Sequence, residues 1–208
     1  SLPVGGFTYS QGLEWAVEAG WVSTRSDLES WLAGLLRDGI THVDLPILAR
    51  LYGAAEADDG NRVEYWSDLL VASRESSELR SEERARGRAM ATLLKALEVP
   101  RSGCWRDALA KSQAAGFALA AVQWGVPLRE AAVGYTWSWL ENLVLAGVKL
   151  VPLGQTDGQR LLLSLGREVG PAAGQSRKKR AAPRGRGAAR GRDASFRGGG
   201  LLGGHAPV

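Results

Sequence analysis

At 208 residues, 45% of them hydrophobic and eight of them Trp, the chain can bury a core of ordinary domain size. Its single Cys, Cys104, excludes an intramolecular disulfide, and two His, His42 and His205, leave little for a self-contained metal centre. The net charge of +4 belongs to the tail alone: residues 170–208 hold nine Arg or Lys against one acid, Asp193, and residues 1–169 are net acidic.

Helical signals follow in chain order. Ser10 or Thr8 can cap a first helix through Leu13 and Val17, ended by Gly20. Ser26-Asp27-Leu28-Glu29 reads as a capping box, with Trp31, Leu32, Leu35 and Leu36 following at helical spacing. A third helix begins near Asp44 and Pro46, carries Leu48, Leu51 and Tyr52, and stops at the Asp58-Asp59-Gly60 turn. The fourth spans Arg62 to Ser73. The fifth, Ser77 to Leu97, has a core stripe of Met90, Leu93, Leu94 and Leu97, whereas Leu79 alone anchors its charged first half. A sixth runs from Trp105 to Trp124. The seventh, Leu128 to Leu150, is apolar on most sides, as suits a central helix. An eighth starts near Thr156 with Leu161, Leu162 and Leu165.

No period-2 run competes, so the expected fold is an all-α, single-domain bundle of about eight helices over residues 1–169. Residues 170–208, rich in Gly, Ala and Arg, bury too little to offset their ordering entropy and are expected to form a disordered basic tail. The start shows no charged and then apolar leader. The most apolar stretch, Leu143 to Val151, is about half a membrane span and includes Lys149. A cytoplasmic protein is expected.

The inventory for catalysis is nearly empty. Neither His has a second His or Cys at ligand spacing, Cys104 has no neighbouring base, and no phosphate-binding loop with its Lys occurs. No catalytic residue and no intrinsic metal or cofactor are therefore assigned. Polar residues stand out instead. The stretch Ser73 to Glu83 is dense in both signs, and Glu82 with Arg86 at i,i+4 suits a solvated helix. Its many Arg residues equally suit recognition of carboxylate or phosphate. Glu141 and Asn142, within an apolar helix, call for partners inside the fold or across an interface. Two other readings stay open: a small α-helical enzyme using Glu141, Tyr135 or Lys149, and an Arg-rich nucleic-acid binder working through residues 170–208.

Leu2-Pro3-Val4-Gly5-Gly6-Phe7-Thr8-Tyr9-Ser10-Gln11-Gly12-Leu13-Glu14 closely resembles the opening signature of the UreF family of urease accessory proteins. Three further blocks agree in order: Asp44-Leu45-Pro46, Arg74-Glu75-Ser76-Ser77-Glu78-Leu79-Arg80, and Trp139-Leu140-Glu141-Asn142 running on to Lys149-Leu150-Val151-Pro152-Leu153-Gly154-Gln155. The resemblance implies a dimeric, non-enzymatic helical scaffold that bridges the nickel-binding GTPase UreG and the accessory protein UreD, also called UreH. It implies that the complex meets apo-urease and couples GTP hydrolysis to nickel insertion, with nickel handled by the complex. By the same resemblance Lys149, Gly154 and Gln155 fall in the region linked to GTPase contact. Arg74, Glu75, Glu78, Arg80, Tyr9, Gln11 and Glu14 are further partner-binding candidates, and Glu141 and Asn142 are buried polar or interface candidates. Relatives carry a Leu-rich segment before the signature and continue as helix after Val169. A truncated front and a frameshifted or misassembled end are therefore expected here, with weakened binding to UreD.

Overall fold

The computed structural model describes residues 10–180, with side chains described to residue 174. Among the described residues every regular element is helical. With the continuous rod of residues 25–56 counted once, there are eight helical bodies among them, which is the bundle expected from the sequence.

Helix α1 (Leu13–Glu18) is set up by Ser10, whose Oγ accepts the Glu14 N–H at 3.2 Å, and Gly20 beyond its end takes φ +75°. Helix α2 (Arg25–Gly34) has its capping box two residues earlier than expected. Thr24 and Asp27 form the box instead: Thr24 Oγ1 accepts the Asp27 N–H at 3.2 Å, and the Asp27 carboxylate accepts the Thr24 N–H at 2.9 Å. Asp27 also accepts from the Ser23 N–H and hydroxyl.

Helix α2 and helix α3 (Leu45–Glu56) are not separated by a loop. A π-helical segment, Leu35–Asp44, joins them. Two side chains reinforce its wider, five-residue repeat: Thr41 Oγ1 donates to the Leu36 carbonyl at 2.7 Å, and His42 Nδ1 lies 2.6 Å from the Arg37 carbonyl. Pro46 supplies the physical reason, because its ring would strike the carbonyl four residues back in a regular α-helix and it has no N–H to give.

Helix α4 (Gly60–Ala72) is capped by Asp59 and helix α5 (Ser77–Ala96) by Ser76, each accepting a backbone N–H of the first turn. The expected sixth helix is two. Buried Ser112 interrupts it by capping a new start, which leaves a short α6 (Arg106–Leu109) and α7 (Gln113–Gln123). Helix α8 (Leu128–Leu150) follows as expected. Helix α9 (Gln155–Arg180) runs past the boundary placed at residue 169, because Val169, Ala172 and Ala173 continue the buried stripe begun by Leu161 and Leu165. Tyr9 and residues 181–208, including most of the expected tail, lie outside the described residues.

The central helix is α3 rather than α8. It buries Leu45, Ile47, Leu48, Leu51, Tyr52, Ala54 and Ala55, and packs against the π segment, α4, α7, α8 and α9. Each fully buried Leu removes apolar area worth roughly 1.5–3 kcal/mol. Helix α8 pairs most closely with α9 and leaves Trp137 partly exposed. Small residues set the spacing of α5: a Cβ on Gly87 would stand 2.6 Å from the Ala110 carbonyl oxygen and 2.6 Å from the Ser112 nitrogen, both backbone.

Two glycine substitutions test this packing by chemical denaturation. Gly87→Ala should destabilise by roughly 1–3 kcal/mol because backbone cannot step aside. Gly34→Ala, where helical backbone meets open space, should stabilise by about 0.4–1 kcal/mol. Equal effects at the two positions would contradict the packing described.

Candidate functional site

Five polar side chains that the sequence scatters over 92 positions, Asp44 to Tyr135, meet in one buried cluster. Asp44 closes the π segment, Arg74 lies in the α4–α5 connection, Glu83 and Arg86 stand on α5, and Tyr135 on α8. Arg74 grips Asp44 with both prongs, Nη1 to Oδ2 at 3.0 Å and Nη2 to Oδ1 at 2.7 Å. The same guanidinium donates to Glu83 Oε2 from Nη2 at 2.8 Å and from Nε at 3.2 Å. Arg86 Nη2 adds a third donor to that oxygen at 2.7 Å, and the Gln113 N–H fills Oε1 at 3.1 Å. Tyr135 donates its hydroxyl to Asp44 Oδ1 at 3.1 Å.

Burial makes these contacts consequential. Glu83 is 0% exposed, Asp44 2% and Arg86 8%. Burial alone pushes the Glu83 carboxyl up, but Arg86 and Arg74, with the hydrogen bonds from Arg74 and Gln113, outweigh it and hold the group below its ordinary value. Burial also works against the charge on Arg74, and Asp44 and Glu83 more than restore it. The Tyr135 phenol is driven well above its ordinary value by burial and by the adjacent Asp44 and Glu83, so it stays a donor.

Beside the cluster opens a cleft of about 470 Å³. The π segment supplies one wall with Leu35, Ile40 and Val43; Arg74, Leu79 and Glu82 face it, and Gln11 and Trp139 close the end. Gln11, in the left-handed region at φ +50°, accepts the Trp139 indole N–H at 2.9 Å, which joins the first signature block to the last. Arg80 folds back to donate to the Arg74 carbonyl at 2.8 Å and so fixes the loop that carries Arg74.

The sequence-derived candidates divide into two places. Gln11, Arg74 and Glu75 line the cleft, with Glu14 exposed on α1 nearby and Glu78 exposed at the start of α5, where its carboxylate accepts from Ser77 at 2.9 Å. Lys149 is exposed at the end of α8, and Gly154 and Gln155 are exposed in the turn to α9. Lys149 stands roughly 15 Å farther along α8 than Trp139. Glu141 and Asn142 are half-buried, so both keep contact with solvent. The expected Glu82–Arg86 surface pair is replaced by a buried one: Arg86 turns to Glu83, so Arg74, Glu83 and Arg86 form an internal cluster while Glu75, Glu78, Arg84 and Arg88 stay exposed.

Asp44, Glu83, Arg86 and Tyr135 are the residues that sequence reasoning missed as a group. The available signal was spacing. Leu79, Glu83, Arg86, Met90 and Leu94 form one continuous helical stripe, so the two charged residues occupy core positions. Tyr135 is held in the cluster, Glu141 lies roughly 9 Å and Lys149 roughly 21 Å farther along α8, so the three do not converge on an enzyme pocket. Among the described residues no group of three or more His, Cys, Asp or Glu is placed to hold a metal ion, and none of the helices is long and apolar enough to cross a membrane.

The family model for UreF matches residues 22–166. The chain is 51% identical over 168 residues to the urease accessory protein UreF of Pseudomonas entomophila, covering 81% of this chain and 75% of the relative. It is 51% identical over 169 residues to UreF of Alcanivorax borkumensis (78% and 73% covered) and 49% identical over 165 residues to UreF of Citrobacter koseri (79% and 74% covered).

The cluster predicts an acid response of definite sign. Folded Glu83 binds fewer protons than unfolded Glu83 around and below the ordinary carboxylate range, so its contribution is present above that range and lost as pH falls through its lowered folded value. Thermal unfolding of Glu83→Gln should show a loss of about 3–5 kcal/mol at neutral pH and a weaker acid dependence. Glu82 behaves oppositely. Burial raises its value, so its ionised form is a penalty that disappears in acid. Glu82→Gln should therefore unfold at a higher temperature than wild type at pH 7 and at the same temperature well below the ordinary carboxylate range. The reverse order would refute this electrostatic assignment.

Proposed function

The chain belongs to the UreF family of urease accessory proteins, and on that premise we propose that it is the scaffold that bridges the GTPase UreG and UreD/UreH and couples GTP hydrolysis to nickel insertion into apo-urease. The family serves urease maturation and is non-catalytic. Nickel is the cargo of the complex rather than a cofactor of this chain. The protein works as a homodimer in the cytoplasm.

The observation that carries the reading is convergence. Three signature blocks distant in sequence, at Gln11, at Arg74 to Arg80 and at Trp139, share one cleft and the ion cluster behind it. Residues that serve only packing would have no reason to bring four carboxylates to one accessible hollow, since buried and half-buried charge costs stability wherever it is not used. Within that surface Arg74 and Arg80 act by shape, because their donors are engaged inside the chain. Tyr9, Gln11, Glu14, Glu75 and Glu78 are assigned to partner contact around the cleft. Lys149, Gly154 and Gln155 are assigned to a second contact at the α8–α9 turn, on the side of the GTPase. Glu141 and Asn142, half-buried on α8, fit the rim of an interface.

The test is capture of purified UreG and UreD by the chain, followed by urease activation in a strain that lacks its own UreF. The chain should capture both partners and restore urease, with or without residues 181–208. Lys149→Ala with Gln155→Ala should lower UreG capture at least tenfold while UreD capture persists, as expected for exposed residues at the centre of one contact. A folded chain that captures neither partner would overturn the reading.

A further inference from the structure

From the exposed aromatic residues and the unpartnered polar atoms of the cleft, we propose that this surface receives an arginine-bearing segment of a partner chain, with the guanidinium directed at Glu82. The inference rests on the scaffold reading and adds the chemistry that one of its contacts uses.

An indole ridge leads into the cleft. Trp15 is 56% and Trp21 60% exposed, and their rings meet edge to face at 4.6 Å. Trp21 lies 6.3 Å from Trp31, which lines the cleft. Three Trp thus run in a chain of contacts, two of them open to water, and an indole face is the preferred seat of a guanidinium plane.

Charge within the cleft is short of cations. Arg74 and Arg86 are engaged by Asp44 and Glu83, and Arg37 meets Asp38 at the rim at 3.5 Å. Among the described residues Glu75 and Glu82 have no ion pair within 4 Å. Glu82 accepts the Gln11 N–H, yet its Oε2 is buried and has no hydrogen-bond partner among the described residues. Burial raises its carboxyl, with Glu14 and Glu83 adding to it, and the pull of Arg86 and of the Gln11 N–H does not fully offset that rise. Two buried donors in the same lining also lack acceptors among the described residues: the Trp31 indole Nε1–H and the Arg86 Nε–H.

An arginine on a peptide segment matches this set from both sides. Its guanidinium has donors only and can fill the empty Glu82 oxygen while stacking on an indole. The backbone carbonyls flanking it can accept from Trp31 and Arg86. A lysine offers a point charge with no plane to stack, and a bare metal ion leaves the two donors unfilled.

The experiment is an NMR titration of the full chain, observing Trp indole N–H signals, with three peptide amides: N-acetyl-Gly-Arg-Gly and its citrulline and lysine counterparts. The arginine peptide should move the Trp31 and Trp21 signals saturably, and the uncharged citrulline peptide should bind about tenfold or more weakly. Glu82→Gln, which keeps the shape and is expected to fold at least as well as wild type, should weaken the arginine peptide about tenfold and leave the citrulline peptide unchanged. Trp21→Ala, on an exposed position, should also weaken it. No saturable shift at millimolar peptide, equal binding of arginine and citrulline peptides, or wild-type binding by Glu82→Gln would each overturn the inference. If those results came from a chain that captures UreG and UreD, the scaffold reading would stand without it. Arginine-selective binding by a chain that captures neither partner would sink the scaffold reading instead.

Discussion

A single guanidinium held between two buried carboxylates governs this architecture. Arg74 lies in a connection between helices, yet it clamps the end of the π segment through Asp44 and the middle of α5 through Glu83. Glu83 keeps its charge at that depth because Arg86 and Arg74 together outweigh the cost of its burial. Replacing such a cluster by well-packed hydrophobic residues is often neutral or stabilising, whereas removing one member costs about 3–5 kcal/mol. Its value therefore lies in specifying geometry. With Tyr135 and the Gln113 N–H also committed to it, α5, α7, α8 and the π segment cannot rotate independently.

The π segment is the complementary constraint. Pro46 prevents a regular α-helical turn before α3, and the wider repeat that accommodates it delivers Asp44 to Arg74 while Leu35, Ile40 and Val43 wall the cleft. Trp31, Glu82 and Arg86 each carry a buried atom with no partner among the described residues, and all three line the same hollow. The opposite faces of the bundle are closed by Leu- and Ala-rich packing among α3, α7 and α9.

Much of the fold was legible in the sequence because apolar periodicity and helix ends are local signals. The helices at Arg62, Ser77 and Leu128 emerged within a few residues of their expected bounds. What escaped was non-local or hidden by composition. The joining of α2 to α3 depends on a π turn, for which Pro46 suggested a boundary instead. The Ser112 cap divides α6 from α7 inside an apolar run. The extension of α9 rests on small residues, Ala172 and Ala173, that composition alone assigns to the tail. At the site, Arg74, Gln11 and Glu75 were identified from the signature blocks, but Glu83 and Arg86 were hidden because charged side chains sat on a core stripe, and Asp44, the partner of Arg74, lies 30 residues from it.

The most direct measurement is partner capture by Arg74→Lys, with circular dichroism as the check on folding. Lysine keeps the positive charge but cannot bridge Asp44 and Glu83 with a planar fork. If the ion cluster shapes the surface that partners read, this variant should remain helical, melt at a lower temperature and lose at least tenfold in affinity for UreD or UreG. A helical variant that captures both partners with wild-type affinity would contradict that account.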